Sequence, residues 1–165
     1  MASTRRYTAV TPKRIAGKEW AVTKKRQGEP WMSAADYGRQ LPQFCVNLIV
    51  RDVPRSISFY STVLDAAVHY FDADFAAIRV LGQELMLHAD HTYDGHPWYR
   101  RLSSNNERGL GAEMRLFGID PDAVEARAKE AGGTIVVPAA DKAHGWREVM
   151  IADPDGYLWA VGQPS

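Results

Sequence analysis

The rhythm of hydrophobic and polar positions changes at residue 44. In F-C-V-N-L-I-V (44–50), Val46, Leu48 and Val50 fall on one side and Cys45, Asn47 and Ile49 on the other, the period of a half-buried strand. Asp52 then opens a helix with Pro54 in its first turn, and Val53, Ile57, Tyr60 and Leu64 recur at helical spacing. Three short runs of strand character follow: A-A-V-H-Y-F, F-A-A-I-R-V and Q-E-L-M-L-H, parted by D-A-D and by Leu81-Gly82. Beyond a polar, aromatic connection the same order returns. G-A-E-M-R-L-F reads as a strand, and D-P-D-A-V-E-A-R-A-K-E-A as a helix capped by Asp120, with Pro121 at its first position and Gly132-Gly133 at its end. T-I-V-V-P, W-R-E-V-M-I-A and Y-L-W-A-V-G supply three more strands, the last two joined by the turn Asp153-Pro154-Asp155-Gly156.

The pattern therefore predicts one βαβββ unit used twice, at about 41–90 and 109–165, within a single domain of residues 41–165. Residues 1–40 differ in kind. They show no sustained period, are interrupted by Pro12, Gly17, Gly28 and Pro30, and form a basic arm that is expected either to lasso the body or to trail from it. Within the arm, S-A-A-D-Y-G-R predicts one short helix capped by Ser33, and Trp20 and Trp31 call for an apolar surface to dock on.

Composition narrows the function classes. The chain has 165 residues, 45% of them hydrophobic and 24% charged, as in a soluble globular protein. Twenty basic and twenty acidic side chains cancel, although residues 1–40 carry nine Lys/Arg against three acids. The run Lys24-Lys25-Arg26 is too short, without a nucleic-acid-binding fold around it, to predict a nucleic-acid partner. No apolar run is long enough to span a bilayer, so no membrane partner is expected. A lone cysteine, Cys45, excludes an intrachain disulfide and suits a reducing compartment, so a cytoplasmic location is expected.

V-R-D-V-P-R-S-I-S-F-Y-S-T-V-L (50–64) and W-R-E-V-M-I-A-D-P-D-G-Y-L-W-A-V (146–161) resemble the two signature regions of the vicinal oxygen chelate superfamily, which includes glyoxalase I, extradiol dioxygenases, and fosfomycin- and bleomycin-resistance proteins. The resemblance covers roughly residues 43–163. It implies an α+β fold in which two tandem βαβββ modules form a cup-like, partly open mixed β-barrel, helices outside and ligand inside. It also implies four inward positions for a divalent metal, which here carry Cys45, Met86, Glu113 and Ala160. A thioether and a methyl group add nothing to a site for hard or borderline cations.

The expected function is accordingly binding of a small molecule, in the manner of bleomycin-resistance proteins, without the family metal and with no cofactor. The alternative is a lyase or dioxygenase relative that uses a displaced divalent metal held by His88 and Glu113, so whether the chain is an enzyme stays open. The expected binding residues are Cys45, Asn47, Glu84, Met86, His88, Trp98, Glu113, Arg115 and Ala160. Several have a plainer reading. Glu113 with Arg115 is also what a solvated strand face looks like, and His88 is also an ordinary strand-end histidine. Cys45 is foremost a small buried hydrophobe, and Trp98 with Tyr99 could serve a dimer contact. Trp159 is expected in the core, and the resemblance implies a homodimer.

Overall fold

Alternation at the start of each module decides which face of each sheet is buried. In the computed structural model, which describes residues 25–104 and 108–165, β1 (Val46–Val50) turns Val46, Leu48 and Val50 into the core and leaves Asn47 and Ile49 on the opposite face. Helix α2 (Val53–Val63) follows. Asp52 caps it by accepting the Arg55 N–H at 2.8 Å, and Pro54 sits in the first turn, where a missing N–H is harmless. Strands β2 (Ala67–Phe71), β3 (Phe75–Val80) and β4 (Gln83–Ala89) complete the module. They form a sheet of order β1-β4-β3-β2, with β1 parallel to β4 and the other pairs antiparallel.

The second module repeats the first. Its elements are β5 (Glu113–Phe117), α4 (Pro121–Glu130), β6 (Thr134–Lys142), β7 (Trp146–Ala152) and β8 (Leu158–Pro164). Their order is β5-β8-β7-β6, with β5 parallel to β8. The repeat foreseen in the sequence thus extends to strand order and direction. The sheets do not close into a barrel; they remain two separate four-stranded mixed sheets. Between the modules lie a 3-10 turn (Asp90–Tyr93) and helix α3 (Tyr99–Ser104), where the sequence showed only a polar, aromatic connection.

One core joins the helix-bearing faces of both sheets. Tyr60 of α2 meets Trp159 of β8 edge-on at 5.6 Å, and Phe59, Val124, Ala128, Val149 and Ile151 pack around them. Trp159 is therefore a core residue, as expected. The Asp-Pro-Asp-Gly turn does more than reverse the chain. Asp153 and Asp155 are only 4% and 3% exposed. Asp153 accepts the Tyr60 hydroxyl at 2.6 Å, and Asp155 accepts the Arg51 guanidinium at 2.8 Å and its backbone N–H at 3.1 Å. The second module's last hairpin is thereby clasped to the β1–α2 corner of the first.

The described part of the arm crosses the open face of the first sheet. Helix α1 (Ala34–Gly38) forms where it was predicted, with Ser33 Oγ accepting the Asp36 N–H at 3.1 Å. Trp31 stacks on Tyr70 of β2 at 4.9 Å and 8°, and Tyr37 stands edge-on to Phe75 of β3 at 5.3 Å. Arg26 pairs with Asp72 at 3.2 Å and Lys25 with Asp94 at 3.5 Å. From residue 25 onward the arm is a lasso, and the described basic residues of its Lys-Lys-Arg run are engaged within the chain; Trp20 and Lys24 lie outside the described residues.

Candidate functional site

Segment 25–41 and the open face of the first sheet enclose a cavity of about 390 Å3, lined among others by Trp31, Tyr37, Phe75, Met86 and His88. That size falls within the usual range for small-molecule pockets. Strand pairing explains the floor. Antiparallel registry sets Phe75 opposite His88 and Ala77 opposite Met86, so the side chains on this face of β3 and β4 look into the same space. Phe75 and His88 lie 4.8 Å apart between ring centroids. The roof is aromatic as well, and Tyr37 ties it down by donating its hydroxyl to Glu84 at 2.7 Å. Burial, and then that bond to a carboxylate, raise the Tyr37 phenol well above its ordinary value, so it is a standing hydrogen-bond donor.

His88 is held from behind. Its Nδ1 is 2.7 Å from Asn47 Oδ1, and Asn47 Nδ2 donates to the Tyr93 hydroxyl at 2.8 Å. With the amide in this orientation Nδ1 carries the proton, leaving an acceptor lone pair on Nε2. Burial lowers the His88 pKa from its ordinary value, which favours this neutral form. The charged groups around the cavity are already bonded within the protein. Arg26 faces Asp72 and also gives its backbone N–H to Asp74 at 2.7 Å, while His91 meets Asp74 at 2.7 Å and Arg79 meets Glu84 at 2.9 Å.

The nine residues expected to bind ligand do not meet in one place. Met86 and His88 line the roofed cavity, and Asn47 orients His88. Cys45, Glu84, Glu113 and Arg115 border another cavity of about 400 Å3, where the starts of β1 and β4 approach β5. There Glu113 accepts from Arg115 at 2.5 Å, and Arg115 also bonds the buried Glu148. Ala160, opposite Arg115 in the sheet, is buried. Trp98 is 59% exposed and lines a separate cleft with Arg108 and Tyr157. It thus lies apart from the other expected binding residues. Residues outside that set complete the roofed cavity: Trp31, Tyr37 and Phe75. A signal for Phe75 was present, since F-A-A-I-R-V places it on the face opposite Ala76 and Ile78; Tyr37 had none.

The donor chemistry does not suit the metal that the resemblance implies. Met86 and Glu113 line different cavities, Cys45 and Ala160 offer a thiol and a methyl, and Glu113 is paired with a guanidinium. Among the described residues no three His, Cys, Asp or Glu side chains converge as an ion site. Nor is any described helix long and apolar enough to cross a membrane.

Tandem βαβββ modules, the first bearing a ligand-sized cavity on its open face, define the class of protein. Residues 42–161 match the profile of the Glyoxalase/Bleomycin resistance protein/Dioxygenase superfamily, and the chain belongs to that family. It is similar to an uncharacterized protein of Mycobacterium tuberculosis, 31% identical over an alignment of 131 positions that covers 74% of this chain and 75% of the relative. Among solved structures it resembles a glyoxalase/bleomycin resistance protein/dioxygenase family enzyme from Burkholderia phytofirmans, with a TM-score of 0.60 and 15% identity over 73% of this chain and 97% of the other. It also resembles a fosfomycin resistance protein from Mesorhizobium loti, with a TM-score of 0.55 and 12% identity over 75% and 92% of the two chains.

Proposed function

We propose that the chain binds a small organic molecule in the cavity between segment 25–41 and the first sheet, by packing and hydrogen bonding and without a resident metal ion. The observation that carries this reading is a ready-made, aromatic-walled space beside donor positions unsuited to a divalent cation. A protective function by sequestration, in the manner of the bleomycin-resistance proteins of the family, asks for no bond-making residue. The competing reading, a displaced metal on His88 and Glu113, is disfavoured because these side chains border different cavities and are engaged by Asn47 and Arg115. The protein is taken to act as a homodimer, by its likeness to the family. Phe44 and Phe117, 79% and 49% exposed on the border of the other cavity, supply apolar surface for such a contact.

Two measurements test the reading. Elemental analysis of the purified protein is expected to find no stoichiometric metal, and a screen of organic fragments by thermal shift should give the same hits before and after treatment with EDTA. Nickel, zinc, manganese or iron at one equivalent, lost in Glu113→Ala, would reverse the proposal. Light scattering is expected to give twice the chain mass.

A further inference from the structure

The walls of the roofed cavity specify more than its size. Resting on the small-molecule reading above, we propose that this cavity selects a flat, uncharged aromatic molecule that bears one hydrogen-bond donor, a phenol or an N–H heteroaromatic, and that His88 Nε2 accepts that donor. Three observations lead there.

The first is shape. Trp31 and Tyr37 line the cavity from the roof, Phe75 and His88 from the floor, and each ring is fixed by another: Trp31 by Tyr70 at 4.9 Å, Tyr37 by Phe75 at 5.3 Å, Phe75 by His88 at 4.8 Å. Walls made of rings already held in place favour a planar occupant, which stacks on them or meets them edge-on without reordering them.

The second is charge. Arg26 pairs with Asp72 and Arg79 with Glu84, and the Asp74 carboxylate already bonds His91 Nε2 and the Arg26 backbone N–H. A charged ligand would give up its hydration and find these groups already bonded within the protein, so neutrality is selected.

The third is a polar anchor. Asn47 fixes the tautomer of His88 by taking the proton-bearing Nδ1, and Tyr93 fixes Asn47 in turn. No described residue bonds Nε2, so the imidazole presents an acceptor and no donor to the cavity that it lines. A ligand able only to accept leaves that lone pair unmet and loses discrimination accordingly.

The test is calorimetric titration of the full chain with 2-naphthol, 2-methoxynaphthalene, 2-naphthoate and cyclohexanol. The phenol is expected to bind roughly five- to tenfold tighter than its methyl ether, the worth of one net hydrogen bond, and tighter than the carboxylate. His88→Leu should bring the affinities for phenol and ether together, whatever loss the two share from the missing ring. Trp31→Ala should weaken both by roughly tenfold. Equal affinity for phenol and ether in the unaltered chain, a comparison that needs no variant to fold, overturns the role given to His88. Tighter binding of naphthoate overturns the selection for neutrality. Binding of cyclohexanol with no binding of the naphthalenes overturns the aromatic assignment while sparing the small-molecule reading; if none of the four binds, both fall.

Discussion

Asp153 and Asp155 look in the sequence like turn formers, and turn formers are usually exposed. Here both are buried because each has work on the far side of the turn: one holds the Tyr60 hydroxyl, the other Arg51. Burial raises the pKa of both carboxyls above their ordinary values, against the pull of those partners. Removing a partner should therefore cost more than the bond itself. Tyr60→Phe leaves a buried carboxylate short of a donor and is expected to lower stability by about 1–3 kcal/mol. Asp155→Ala removes the acceptor of both the Arg51 guanidinium and its backbone N–H and is expected to cost about 1–3 kcal/mol. Urea unfolding of each variant beside the parent chain checks both, and a change below about 0.5 kcal/mol would mean that the clasp between modules is idle. None of these partnerships has a local signature, since Arg51 and Asp155 stand 104 residues apart.

Elements were legible wherever a period and its punctuation agreed. β3 and β7 occupy the residues read from alternation, and α4 starts at Pro121 behind its Asp120 cap as read. Legibility failed where long-range contacts set the structure. β6 runs on to Lys142, past Pro138 and through shifts in pairing register on both sides of Val137. The 3-10 turn after β4 is held by Tyr93 bonding Asn47 and by Asp90 taking both ends of the Arg108 guanidinium at 2.5 and 2.6 Å. The candidate site was half legible for the same reason. Period two placed Met86 and His88 on the open face, but nothing in the arm's sequence said that Trp31 and Tyr37 would come to rest above them. Within the second sheet, Gly162 of β8 makes a sharp demand, since a Cβ there would lie 2.6 Å from the Arg147 carbonyl oxygen of β7. Gly162→Ala is expected to push these strands apart at a cost of about 1–3 kcal/mol. A melting temperature equal to that of the parent would show that the pair yields freely.

At the scale of the molecule, pH acts on the fold through the same histidine that anchors the proposed ligand. Burial depresses the His88 pKa below its ordinary value of 6.5, so folding favours the neutral ring. The corresponding stability is complete above that ordinary value and is lost as pH falls through the depressed one. Urea midpoints are expected to drop between pH 7.5 and 5, and the drop should shrink in His88→Gln, which cannot protonate. An unchanged slope would place the acid sensitivity elsewhere. The arm carries a different consequence. Its described part touches the first sheet through rings, ion pairs and hydrogen bonds made by side chains, and joins neither sheet as a strand. Seventeen or so residues thus set what the cavity admits while the duplicated scaffold beneath remains untouched, so selectivity can drift through changes in a short appendage, and chimaeras that exchange only this strip should trade ligand preference without trading architecture.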